Sequence, residues 1–172
     1  NIVPWQLAGW QVDVCPLTAD GQIDLDAAEA MLTPEHTMVA FAHVSNVLGS
    51  TLDCGRAAEL AHRVGAKLLL DGCQAVARLP VDVHALGCDF YAFSAHKMYG
   101  PKGVGALYVR RKPRVRVAPI IDGGGHERGM RSGTLNAMST YCAGSSPAAR
   151  MRSTMAARRS RSQSTRFGRS AT

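Results

Sequence analysis

Phe90-Tyr91-Ala92-Phe93-Ser94-Ala95-His96-Lys97 is the stretch on which the reading of this chain turns. Four apolar residues in a row, without polar alternation, end abruptly on a polar cluster. A strand that buries both of its faces has this pattern, and such strands belong to parallel sheets covered by helices. Upstream, Leu68-Leu69-Leu70 stops in the same way on Asp71, with Gln74 just beyond it. Further upstream, Thr37 to Ala42 reads as another buried strand and leads to Ser45-Asn46.

Between these runs lie helical patterns. Asp24 to Leu32 is rich in Ala and Leu, and Arg56 to Val64 places Ala57, Leu60, Ala61 and Val64 on one face before Gly65 closes it. Gln11 to Leu17 and Val104 to Val109 read as two more strands. The pattern predicts an α/β fold, with a mostly parallel sheet and helices on both faces. In such sheets ligands bind beyond the carboxyl ends of the strands. Asn46, Asp71 and the Ser94–Lys97 cluster all fall at such ends, so they form one candidate site rather than three unrelated polar spots.

The chemistry of that site follows from its residue types. A lysine set after a buried strand can form a Schiff base, and a buried aspartate can keep a pyridine nitrogen protonated. Together, Lys97 and Asp71 suit pyridoxal phosphate. Ser94 and His96 can donate hydrogen bonds to its phosphate. The run Gly123-Gly124-Gly125-His126-Glu127-Arg128-Gly129-Met130-Arg131-Ser132-Gly133-Thr134 reads as an anion-binding loop, in which backbone N–H groups and the Thr134 hydroxyl approach phosphate.

Composition narrows the alternatives. The chain has 172 residues, is 46% hydrophobic and carries a formal charge of +7. It is long enough for one domain with a real core, and no apolar run approaches the ~20 residues of a membrane helix. The charge excess is confined to residues 137–172, which hold seven arginines and no acidic residue. It therefore says nothing of residues 1–136, where the charges balance. Five cysteines without a C-x-x-C pair argue against a disulfide framework or a zinc site and for a reducing cytoplasm.

Asp71-Gly72-Cys73-Gln74-Ala75-Val76, then Ser94-Ala95-His96-Lys97-Met98-Tyr99-Gly100-Pro101, then the Gly123–Thr134 run, resemble the cysteine desulfurases, class V members of the fold-type I pyridoxal phosphate enzymes. The resemblance runs from Asn1 to about Asn136. Residues around His43 to Gly49 are similar to the branch serving sulfur mobilisation under stress. Those from Tyr99 to Thr134 are closer to the housekeeping iron–sulfur branch. It implies that residues 1–136 are part of the large cofactor-binding domain. Lys97 would carry the cofactor and move the substrate's α-proton, with His96 beside it. Asp71 would pair with the pyridine nitrogen and Gln74 would hydrogen-bond the phenolic oxygen. Ser94 and His96 would bind the phosphate, Thr134 would reach the phosphate of a second subunit in a homodimer, and Asn46 would lie near the cofactor and the substrate carboxylate. The implied substrate is L-cysteine, converted to L-alanine while a sulfur-acceptor protein receives the sulfur for iron–sulfur cluster assembly.

Two features depart from the family's pattern. Its persulfide-forming cysteine has no counterpart here, since Cys73, Cys88 and Cys142 stand elsewhere, so the chain is expected to be inactive alone. The Arg- and Ser-rich segment 137–172 is expected to be disordered or out of frame, and the opening Asn1–Trp5 reads as the interior of a longer product. Two other interpretations are another class V enzyme, such as a selenocysteine lyase, and a degenerate fragment whose basic tail binds nucleic acid.

Overall fold

A computed structural model of the chain describes residues 2–111, 115, 117–119, 123–131 and 155–159. Its elements in chain order are α1 (Ile2–Leu7), β1 (Trp10–Asp13), α2 (Leu25–Met31), β2 (His36–Ala42), α3 (Cys54–Arg63), β3 (Lys67–Asp71), β4 (Phe90–Ser94), β5 (Gly105–Val109) and β6 (Met155–Arg159). The strands form one sheet in the order β1-β6-β2-β3-β4-β5. The expected parallel sheet is its centre: β2 pairs with β3, and β3 with β4, both parallel. The two flanks are antiparallel. β5 has to be, because the connection from Ser94 to Gly105 is too short for the crossover that parallel pairing requires.

Alternation along the central strands explains their continuous apolar runs. Val39, Phe41, Leu68, Leu70 and Tyr91 face one side of the sheet and pack with Leu25 and Ala28 of α2 and with Ala57, Leu60 and Ala61 of α3. Ala40, Leu69 and Phe90 face the other side, where Ile2 and Trp5 of α1 cover them. Both faces are thus buried, and neither needs polar residues.

The helix ends are written in the local sequence. Asp24 caps α2 by accepting from the Ala27 N–H at 2.9 Å, and Asp53 caps α3 by accepting from the Arg56 N–H at 3.0 Å. Beyond α3, the Gly65 N–H donates to the His62 carbonyl and the Ala66 N–H to the Ala61 carbonyl. That double closure needs the left-handed backbone of Gly65, φ +82°.

Three expectations shift. The strand expected over Gln11–Leu17 stops at Asp13, leaving Leu17 a lone bridge to Ile23. Pro16 has no N–H to continue a ladder. Helix α1, on a segment that contains Pro4, was not foreseen. In the segment expected to be disordered or out of frame, Met155–Arg159 forms a strand between β1 and β2. The physical reason is the slot: β1 and β2 do not pair with each other, and an antiparallel strand there satisfies backbone groups on both. The rest of the 137–172 segment lies outside the described residues. Among the described residues, no helix is long and apolar enough to cross a membrane.

One buried carboxylate ties the sheet together at the end opposite the candidate site. Asp89 is fully buried. Its Oδ2 accepts from the Leu68 N–H at 2.9 Å and lies 2.8 Å from His62 Nε2. Its Oδ1 stands 3.7 Å from Lys67 Nζ and 3.8 Å from Arg110 Nε. The residue thereby joins α3, β3, β4 and the chain leaving β5. Replacing Asp89 with Ala leaves the Leu68 N–H unpaired and takes the shared carboxylate from His62, Lys67 and Arg110, and should lower the unfolding free energy by about 2 kcal/mol in urea titrations. Arg56→Ala, which breaks an exposed pair with Asp26 and Glu29, should leave the urea midpoint nearly unchanged.

Candidate active site

Parallel register brings the expected residues to one edge. Ala42 of β2 lies opposite Asp71 of β3, and Asp71 lies opposite Ala92 of β4. The chain leaving each strand therefore emerges on the same rim. From β2 it runs through His43 to Ser45-Asn46, from β3 through Gly72 to Gln74, and from β4 through the 3-10 turn Ala95–Lys97.

Asp71 is 8% exposed. Its Oδ1 accepts from the Cys73 N–H at 2.9 Å, and its carbonyl accepts from the His43 N–H at 2.9 Å. Burial pushes the carboxyl up from the usual carboxylate range, against the Cys73 N–H and the positive charge of Lys97, which pull it down. Lys97 is half-buried on its turn, which closes when the Met98 and Gly100 N–H groups donate to the Ala95 carbonyl. Gly100 is required there, since a Cβ would sit 2.8 Å from that of Ala95. The neighbouring Tyr99 takes a left-handed φ of +63°.

Ser94 Oγ is 3.5 Å from Cys73 Sγ and donates to it. Burial raises the Cys73 thiol above its ordinary value, and the Ser94 hydroxyl partly offsets this. Asp71, Cys73, Ser94 and Lys97 thus form one electrostatically linked group. Gln74 lies one turn on, with its Oε1 accepting from Arg78 Nη1 at 2.9 Å. His96 is exposed on the turn that carries Lys97. Asn46 sits exposed in a turn where Ser45 Oγ accepts from the Val47 and Leu48 N–H groups. It lines a cavity of about 310 Å³ with Leu17, Ile23, Ser45, Leu48 and Thr51. The lining of that cavity does not include Asp71, Ser94 or Lys97. Thr134 lies outside the described residues. Of the Gly-rich run, Gly123–Arg131 is described. It forms a tight loop bridged between His126 and Arg131, with Arg131 Nε 2.6 Å from Glu127 Oε2.

Sequence reasoning passed over Cys73 because it does not match the family's nucleophile, yet the fold sets it between Asp71 and Ser94. It also passed over His43 and Tyr91. His43 carried a faint signal, its place just before Ser45-Asn46. Tyr91 carried none, since any large apolar residue satisfies a buried strand. A buried carboxylate beside a lysine, with a hydroxyl and an imidazole on the same rim, suits a flat ligand that is cationic at one end and anionic at the other.

This α/β sheet with a lysine and an aspartate at neighbouring strand ends places the chain in a known group. The aminotransferase class-V family model matches residues 1–166, and the chain belongs to that family. Within it, the chain is 47% identical over 127 residues to the cysteine desulfurase IscS of Edwardsiella ictaluri, which covers 74% of this chain and 31% of that protein. It is 49% identical over 128 residues to a cysteine desulfurase of Klebsiella pneumoniae, covering 72% and 32%. Among solved structures, the cysteine desulfurase CsdA of Escherichia coli superimposes with a TM-score of 0.71 at 34% identity, over 80% of this chain and 39% of that one. SspA in complex with cysteine gives 0.65 at 34% identity, over 71% and 35%. The chain spans about a third of the length of these curated relatives.

The raised carboxyl of Asp71 predicts a pH-dependent cost. Below the unfolded-state value Asp71 is protonated in folded and unfolded chain alike. As pH rises, the unfolded chain ionises first and the folded state is disfavoured. Asp71→Asn keeps an acceptor for the Cys73 N–H without the charge. Its urea midpoint should exceed that of the unsubstituted, cofactor-free chain at neutral pH, and the gap should shrink as pH falls through the carboxylate range.

Proposed function

We propose that this chain is the cofactor-binding part of a pyridoxal-phosphate-dependent cysteine desulfurase. The proposed reaction converts L-cysteine to L-alanine and passes the sulfur to a protein thiol as a persulfide, for iron–sulfur cluster assembly. The observation that carries this reading is Asp71: a buried, acceptor-only carboxylate whose ionised form is poorly compensated, next to a lysine at the adjoining strand end. A protonated ring nitrogen would supply the missing compensation. The similarity to desulfurases across most of the chain supports the substrate.

The donor set fits the cofactor. Lys97 would hold its aldehyde carbon covalently and would take the substrate's α-proton on Nζ, with His96 adjacent. Asp71 holds the ring nitrogen in its protonated form. Gln74 has an amide N–H₂ to offer the phenolic oxygen, its Oε1 being held by Arg78. Ser94 and His96 serve the phosphate, with Thr134 acting on the phosphate of a second subunit in a homodimer. Asn46 orients the substrate carboxylate. Bound pyridoxal phosphate supplies an electron sink for the charge that develops at the substrate α-carbon. The setting is the cytoplasm.

None of the described cysteines suits the role of sulfur acceptor. Burial pushes Cys15 and Cys88 up to about 11 and Cys54 up to about 12, and it raises Cys73 as well. The thiolate is the nucleophile, so these thiols are weak ones at neutral pH. The purified 172-residue chain should therefore take up pyridoxal phosphate without sustained sulfide release from L-cysteine. Borohydride reduction should fix the cofactor on Lys97, found by peptide mass spectrometry, and Lys97→Ala should carry none. A chain whose Lys97 stays unlabelled at saturating cofactor would overturn the proposal.

A further inference from the structure

Beneath the turn that carries Asp71 lies a buried pair to which the proposed chemistry gives no role. His43 Nδ1 and Tyr91 Oη are 2.9 Å apart. His43 is 6% exposed and Tyr91 is 1% exposed. Their rings meet edge to face, with centroids 5.9 Å apart and planes at 82°. Burial lowers the imidazole's basicity and raises the phenol's pKa, so burial favours the neutral form of both.

The pair touches the turn at two points. The His43 N–H donates to the Asp71 carbonyl. The Tyr91 ring occupies the place where residue 72 would carry a side chain: a Cβ on Gly72 would fall 2.0 Å from Cε1, 2.2 Å from Cζ and 2.4 Å from Oη. The backbone of Gly72 therefore rests directly on the phenol, and its N–H is tied to the Ala92 carbonyl at 2.8 Å. The next residue, Cys73, supplies the N–H that orients the Asp71 carboxylate. One line of contact runs from His43 through Tyr91 and Gly72 to the Cys73 N–H and Asp71 Oδ1.

We infer that His43 and Tyr91 are positioning residues, which set the height and tilt of the Asp71–Gln74 turn so that the Asp71 carboxylate meets the cofactor's ring nitrogen. The inference rests on the proposed role of Asp71, although the turn itself can be tested without cofactor. A phenylalanine at 91 would still fill the space but could not be held by His43. An asparagine at 43 retains an amide that can donate or accept near the position of Nδ1, whereas alanine does not.

The test uses the full 172-residue chain carrying Cys142→Ser and has two readouts. In the first, without cofactor, an aromatic disulfide reagent labels Cys73, and mass spectrometry follows each labelled peptide. Cys15, Cys54 and Cys88 are buried and report global opening in the same sample. Tyr91→Phe and His43→Ala should each speed labelling of Cys73 about fivefold, the order that loss of one buried hydrogen bond produces, without matching acceleration at the other three. His43→Asn should restore the original rate. In the second readout, equilibrium dialysis with pyridoxal phosphate should show the same two variants binding about fivefold more weakly, again restored by His43→Asn. An unchanged Cys73 rate, or equal acceleration at all four thiols, would overturn the inference. If the unsubstituted chain takes up no pyridoxal phosphate, the cofactor reading fails instead, and the labelling rates still decide whether the pair holds the turn.

Discussion

Parallel hydrogen bonding of Lys67–Asp71 to Met38–Ala42 on one side and to Phe90–Ala92 on the other places three strand ends in register at one edge of the sheet. A strand between two parallel neighbours has its backbone groups paired on both sides and its side chains buried on both faces. That constraint accounts for the apolar runs, for α3 on one face and α1 on the other, and for a rim on which residues distant in sequence become neighbours. Had β3 paired antiparallel with either neighbour, Asp71 would lie at the opposite edge from Asn46 or from Lys97.

Two buried aspartates mark the two ends of this arrangement, and they are treated differently. Asp89 is surrounded by a backbone N–H, an imidazole and two cationic side chains. Asp71 has the Cys73 N–H and the charge of Lys97, and burial still outweighs them. The difference fits the proposed division between a residue that holds the fold and one that would meet a cationic ligand. Asp89 Oδ2 has two close partners while its Oδ1 has only the two cations at 3.7 and 3.8 Å, so three cationic or donor side chains share one carboxylate there, whereas Asp71 has one N–H and one lysine.

Much of this is legible in the sequence. The closing Gly65 is local backbone chemistry, and the buried strands announce themselves by apolar runs of strand length. The failures were of two kinds. β1 stops at Asp13, short of the Pro16 through which the apolar pattern had carried it. Met155–Arg159 lies in a stretch with little apolar periodicity, and its placement depends on an unpaired slot between β1 and β2 that only the assembled sheet creates. The candidate site divides in the same way. Lys97, Asp71 and Ser94 were legible as polar residues ending apolar runs, and the fold brings them together with Cys73. Asn46 reaches the same rim but faces a separate cavity.

By itself the sequence determined the three central strands, roughly where β2, β3 and β4 stop, and which chemically capable residues stand at those stops, because these depend on side-chain type and local spacing. Only the tertiary structure decided that β4 meets β5 antiparallel, that Asp71 is buried enough to resist ionisation, and that the Tyr91 ring fills the place of a side chain at residue 72. Those features arise from contacts across the sheet, between residues far apart in the chain, and no local pattern encodes the distance between them.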